Sequence, residues 1–500
     1  MSGPNPSKAS GPDQVPARLL KELSKELAPV VTALYKQSFD TGDVPEEWTT
    51  AWITPVFKKG SRSDPANYRP VSLTCILCKL MEHVLCTHIR GHLERHGILT
   101  PEQHGFRGKH SCETQLLMTT HELLKERDVG HQVDVAILDF SKAFDTVPHK
   151  RLLNKLEMYG IHSESETHKW ISNFLVGRNQ SVIVDGSRSE ERQVKSGVPQ
   201  GTVLGPLLFL LHINDITATI DPQTKCRLFA DDCLLYRAIK SVQDQVQLQR
   251  DLRTLERWAT DWGMRFNAAK CYIMTIGRGK TISHMYELCG IFLQGVSQEK
   301  YLGVLISSDL SWATHIQNVA SSANQKLGFM KRNLKGSPKD LKRLAYITTV
   351  RSSLEYASTI WDPYQKDHTK LLEASQRKAA RWIQNDFGQK SSVTKMMANL
   401  GLEPLEERRR ISRLAFLYKI LHEEVAVPAD ELGIIRNPRA TRGLATSDKL
   451  IVPRCETTQL RKHFVAKTIP QWNKLPENST SAATVQAFKS KLNVHPNTRP

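Results

Sequence analysis

Ten residues, Arg227-Leu228-Phe229-Ala230-Asp231-Asp232-Cys233-Leu234-Leu235-Tyr236, set the first limit on the fold: two apolar, strand-like runs flank an acidic pair with neither Gly nor Pro between them. The pattern predicts a tight β-hairpin with both carboxylates at its tip. Adjacent ionised carboxylates repel, so a structured turn keeps both only where a strong positive charge sits between them and a third acid. Val133-Asp134-Val135-Ala136-Ile137-Leu138-Asp139-Phe140, a β-branched run, ends in that third acid, Asp139. Three carboxylates on two neighbouring strands would make the hard-oxygen cage that Mg²⁺ prefers. Taken alone, an Asp-Asp pair is more often a plain polar turn, and the motifs around it decide.

Phe229-Ala230-Asp231-Asp232 resembles the x-x-Asp-Asp box of reverse transcriptases. Asp139-Phe140-Ser141-Lys142-Ala143-Phe144-Asp145 is similar to their first palm motif, and Ser196-Gly197-Val198-Pro199-Gln200-Gly201 to their second. With Asn67-Tyr68-Arg69-Pro70-Val71-Ser72-Leu73 and Gly105-Phe106-Arg107, the set resembles the jockey-like, LINE-type polymerases of non-LTR retrotransposons, in the same order over roughly residues 13 to 490.

The resemblance implies an α+β right-hand polymerase: an N-terminal extension over 1–39, fingers and palm over 40–306, a basic helical thumb over 307–422 and a C-terminal tail of unread role over 423–500. It implies an RNA-directed DNA polymerase that copies an RNA template from a DNA primer with deoxynucleoside triphosphates, using two Mg²⁺ ions, with Mn²⁺ as a substitute. Asp139, Asp231 and Asp232 would hold the ions. Arg69 and Lys58 would clamp the triphosphate, Arg69 bidentately, although Lys58 also reads as a solvated strand end. Phe144 would lie under the sugar and exclude a 2′-hydroxyl; as a residue it reads equally as core. Gln200 and Gly201 would lie nearest the nascent base pair. Lys270 would protonate the pyrophosphate, against the plain reading of a surface lysine between helix and strand. Arg107 would touch template backbone, and Tyr301 would belong to a primer-grip hairpin. The rival reading is a catalytically silent or domesticated copy that still binds RNA. Relatives of this kind carry an endonuclease before the polymerase, and the forty or so residues ahead of the fingers here lead us to expect no endonuclease in this chain.

Net charge is +18, which suits a polyanionic partner. Residues 316–415 hold 19 Lys or Arg against 9 Asp or Glu, so the surplus is concentrated after the catalytic motifs. Lys331, Arg332, Lys342 and Arg343 are the candidates to line one nucleic-acid groove there. Nine scattered cysteines form no disulfide framework, which fits a reducing, intracellular setting, and the resemblance implies the nucleus at integration, with the cytoplasm as the alternative. Cys75-x-x-Cys78 invites a zinc reading, but both lie in an apolar run of helical period, which favours buried thiols. The longest apolar stretch, Val203 to Leu211, is too short to span a membrane, so a soluble protein is expected.

Local patterns predict the remaining elements. Met1 to Gln14, rich in Pro, Ser and Gly, reads as disordered. Pro16–Leu27 and Pro29–Phe39 read as two short helices, 52–57 as a strand, and 71–96 and 111–128 as amphipathic helices. Leu248, Leu252, Leu255, Ala259 and Trp262 form a buried stripe on a helix over 242–262. Long helices are expected over 313–334, 338–358, 367–385 and 404–422.

Overall fold

The computed structural model describes residues 5–7, 9–279, 281–437 and 449–494. A five-stranded sheet lies at its centre, in the order Gln294–Gly295, Tyr272–Ile276, Gln132–Leu138, Asp232–Ile239, Lys225–Phe229. Its middle strand, Gln132–Leu138, pairs antiparallel on both sides. Strand periodicity divides its side chains between two cores. Val133, Val135, Leu234, Tyr236, Met274 and Ile276 face one, together with the helix Cys112–Asp128 and the helices of the C-terminal half. Ala136, Leu138, Cys233, Leu235 and Ile273 face the other, with Leu248, Leu252, Leu255 and Ala259 of the helix Val242–Trp262. Both faces are covered, so the run from 133 to 138 is continuously apolar apart from Asp134, whose carboxylate accepts from the Tyr286 hydroxyl and the Gln132 amide.

A second sheet forms from the hairpin Thr50–Phe57 and Tyr68–Leu73, with Asn179–Val184 running parallel to the first of these strands. The expected helix over 71–96 therefore starts later, at Ile76. Val71, Ser72 and Leu73 are drawn into pairing with Thr54, Ile53 and Trp52, and tertiary pairing overrides the helical period. Pro29 does not open a second helix but lies inside Ser24–Thr41, because the break between the first two helices falls at Leu23. Part of the expected disorder over 1–14 falls on residues 1–4 and 8, outside the described residues. The described part packs: Gly11 lies so close to Cys75 that a Cβ would stand 2.5 Å from its amide nitrogen.

The C-terminal half is helical, with Ala313–Asn333, Lys366–Gln384 and Leu405–Leu421 within a residue of the expected spans. The helix expected over 338–358 instead divides into Lys339–Ala345, a wide π turn over Tyr346–Arg351 and Ser352–Glu355. Phe464, Trp472 and Phe488 join the same core as the sheet. The Asp128 carboxylate accepts the backbone N–H groups of Glu456 and Thr457, tying that C-terminal segment to the helix beside the sheet. Cys75 and Cys78 are buried free thiols, and among the described residues no helix is long and apolar enough to cross a membrane.

Candidate active site

The acidic pair sits at a two-residue turn. Phe229 pairs with Asp232, leaving Ala230 and Asp231 at the tip, and Ala230 adopts φ 55. The left-handed region disfavours any residue with a Cβ, so this turn, lacking Gly, is held from outside. The backbone of Glu102 to His104 does this along one edge: Leu228 N–H donates to the Glu102 carbonyl and His104 N–H to the Leu228 carbonyl, both at 2.9 Å. Beneath the tip, the Gln103 side chain bonds Ala230 through both ends of its amide.

Asp139 reaches the same place from the middle strand. Leu138 pairs with Cys233, so the next position along the ladder sets Asp139 opposite Asp232. Its backbone is fixed by Asn267 N–H on its carbonyl at 2.8 Å, and Lys270 Nζ lies 3.8 Å from its carboxylate. Burial raises the pKa of all three acids. Lys270 opposes the rise at Asp139, and Arg69 and Lys58 oppose it at Asp231. Asp232 has no cation to offset it, and burial with repulsion from Asp231 and Asp139 lifts it to about 6. The three carboxylates thus share one electrostatic site into which the N-terminal hairpin projects its cations. Val56 pairs with Arg69, and Lys58 N–H donates to the Asn67 carbonyl at 2.8 Å, which sets both basic residues at the loop end of that hairpin.

The loop 196–203 closes another side. Ser72 N–H of the N-terminal hairpin donates to the Gln200 carbonyl at 2.7 Å, and Gln200 Nε2 donates to Asp145 at 2.9 Å. Gly201, at φ 104, lies so near that a Cβ would stand 2.7 Å from the Ser72 carbonyl oxygen. The loop leads into the helix Leu204–Ile213, whose first N–H groups need acceptors. Glu82, fully buried, accepts Val203 N–H at 2.6 Å and Leu204 N–H at 2.8 Å. Burial raises the Glu82 pKa, and those donors with Arg178 pull it back. Phe144 stacks on Phe209 of this helix at 4.4 Å and meets Phe106 edge-on at 6.2 Å. It is half-buried, so it is packed on one side and open on the other.

The other singled-out residues lie in different settings. The Tyr301 ring is enclosed, its hydroxyl accepting from Gln115 Nε2 at 3.0 Å, so within the hairpin Gln298–Ser307 the ring faces core. Arg107 is half-buried and donates to the carbonyls of Thr100 and Gln103, bracing its own loop. The four basic residues expected to share a groove divide: Arg332 is exposed and Lys331 half-buried, whereas Lys342 is buried with Nζ 5.8 Å from the Trp382 ring centre and Arg343 donates to the Leu400 carbonyl. Gln103 and Glu82 escaped sequence reasoning. For Glu82 the available signal was an acid within the largely apolar run Leu80 to Leu85; Gln103, between Glu102 and His104 in a polar loop, carried none.

Asp139, Asp231 and Asp232 offer carboxylate oxygens, the donor type that suits a hard divalent cation, and their mutual repulsion is the kind that such an ion relieves. Among the described residues no three His, Cys, Asp or Glu side chains stand close enough to grip an ion as they are, and Lys270 supplies the positive charge beside Asp139.

The chain is 28% identical over 425 residues to a probable RNA-directed DNA polymerase from transposon BS of Drosophila melanogaster, covering 80% of this chain and 45% of that protein. It is 26% identical over 389 residues to the RNA-directed DNA polymerase from mobile element jockey of the same fly, covering 75% and 42%. The expected kinship with jockey-like polymerases is borne out, and the chain spans less than half the length of these curated relatives. A truncated apo telomerase from Candida tropicalis aligns at a TM-score of 0.37 and 11% identity, over 57% of this chain and 59% of that one. Residues 56–306, half of the chain, match the family described as reverse transcriptase (RNA-dependent DNA polymerase). That segment contains the acidic hairpin, Asp139, the basic residues facing them and the loop 196–203, and the chain belongs to the reverse transcriptase family.

Proposed function

We propose that this chain is the polymerase of a non-LTR retrotransposon, copying an RNA template into DNA by extending a DNA primer with deoxynucleoside triphosphates. The observation that carries the reading is the meeting of Asp139, Asp231 and Asp232 at adjoining strand ends, opposite Arg69 and Lys58 of a separate hairpin. Asp139, Asp231 and Asp232 would hold two Mg²⁺ ions, or Mn²⁺ in their place, beside the primer's 3′-hydroxyl and the incoming triphosphate. When bound, such ions lower the hydroxyl's pKa and neutralise charge on the leaving oxygens.

Arg69 and Lys58 bind the triphosphate. The open side of Phe144 supports the sugar, and Gln200 and Gly201 form the floor beneath the nascent pair. The proton that the pyrophosphate takes up comes from Lys270, which Asp139 holds at the site. Exposed cations of the helical half, Arg332 and the partly exposed Lys331 among them, hold the template–primer backbone. The setting is the nucleus at integration.

Run-off extension of a DNA primer on an RNA template, with Mg²⁺ and all four deoxynucleotides, tests the reading. Full-length DNA that requires both RNA and metal is expected. Tight binding to the hybrid with no extension would overturn it in favour of a silent RNA-binding copy.

A further inference from the structure

Gln103 is 2% exposed, and both ends of its amide are engaged. Its Oε1 accepts Ala230 N–H at 2.9 Å and Gly105 N–H at 2.7 Å, and its Nε2 donates to the Ala230 carbonyl at 3.3 Å. The residue it grips is the one in the left-handed conformation, immediately before Asp231. Gly105 completes the contact, since a Cβ there would stand 2.3 Å from the Ala230 nitrogen. The clamp is itself braced: Arg107 Nη1 donates to the Gln103 carbonyl at 3.2 Å and to that of Thr100 at 2.6 Å. Without these bonds a two-residue turn containing no Gly would have both polar groups of Ala230 unsatisfied in a buried place.

We infer that Gln103 is the positioning residue for the Asp231–Asp232 pair, and that by fixing the turn from beneath it sets how tightly the acids hold a divalent cation. A freely moving turn must be ordered each time an ion binds, and that ordering weakens the binding. The inference rests on the polymerase reading above, and the test separates the two.

The test compares wild type with Gln103→Met, which keeps the length of the side chain and removes its hydrogen bonds. The first readout is the rise in melting temperature on adding Mg²⁺ without nucleic acid. The second is the split between kcat and KM for a deoxynucleotide in primer extension. With both hydrogen bonds to Ala230 lost along with the one to Gly105, the Mg²⁺ midpoint of the melting shift should rise roughly tenfold. Extension should lose kcat with KM for the nucleotide within about twofold, and raised Mg²⁺ should restore part of it. A residue that only fills space would lower the metal-free melting temperature and leave the Mg²⁺ midpoint and the rescue unchanged, which overturns the inference. Should Gln103→Met fail to fold, Gln103→Ala, which leaves room for water to satisfy the same groups, is held to the same midpoint shift. If Mg²⁺ does not shift even the wild-type protein, the metal-cage reading fails, whereas an equal shift in both proteins refutes the role of Gln103 alone.

Discussion

Replacing Asp232 by Asn should stabilise the metal-free protein while abolishing synthesis. The Asp232 carboxyl rises from 3.8 to about 6 under burial and the charges of Asp231 and Asp139. At about 1.4 kcal/mol per pH unit, that difference sets a ceiling of roughly 3 kcal/mol on the penalty carried by the ionised form. Asp232 reaches solvent, so screening reduces the expected gain to about 1 kcal/mol, or about 2 °C in melting temperature. The sign follows from linkage. An acid whose folded pKa exceeds its unfolded one destabilises the ionised native state, so the penalty is absent below about pH 4 and complete above about pH 6. Differential scanning calorimetry in EDTA should therefore place Asp232→Asn above wild type at pH 8 and level with it at pH 4. Added Mg²⁺ should stabilise wild type and largely spare the variant. A variant that melts below wild type at pH 8, or that still extends primers, would refute the argument that repulsion at this cage is held for metal binding.

Phe144→Ala should admit ribonucleotides in single-addition assays and, by removing the stack on Phe209, should lower stability by about 1–3 kcal/mol in urea unfolding. Unchanged sugar discrimination would return Phe144 to a packing role. Glu82→Ala leaves the N–H groups of Val203 and Leu204 buried without an acceptor, which should cost about 2 kcal/mol and raise KM for the nucleotide through the loop carrying Gln200. Glu82→Gln should recover part of both effects. Lys331→Gln with Arg332→Gln should flatten the salt dependence of hybrid binding by up to about two log–log units, read by fluorescence anisotropy. Lys342→Gln should instead lower the melting temperature, because its ammonium lies against Trp382, and an unchanged slope in the first pair would remove them from the interface.

The meeting of the three carboxylates was legible because its pattern is local in sequence. The apolar, β-branched run from Val133 to Asp139 and the apolar runs flanking Asp231-Asp232 are strand patterns, and the register that brings Asp139 opposite Asp232 follows once both strands lie in one sheet. The stripe from Leu248 to Ala259 was readable for the same reason, since a period repeated over about three turns has few alternatives. What stayed hidden depends on contacts distant in sequence. Nothing near Gln103 announces that its amide closes on Ala230, and nothing near Glu82 announces the helix that begins at Leu204. The basic residues of the helical half misled in part because charge alone does not distinguish Arg332, open to solvent, from Lys342 beneath an indole or Arg343 on a carbonyl. The C-terminal segment was unreadable because its short helices are made by docking, through Asp128 and the core around Phe464 and Trp472, more than by their own periodicity.

The most direct measurement is single-turnover addition of one deoxynucleotide to a DNA primer on an RNA template, at saturating Mg²⁺, with wild type and an Asp231→Ala, Asp232→Ala double variant matched for circular dichroism and hybrid affinity. Extension by wild type and a loss of at least about 10³-fold in the double variant, with hybrid binding kept, is the result predicted from the acid cage. Extension by the folded double variant at a rate near wild type would contradict it, and the chemistry would have to be sought elsewhere in the chain.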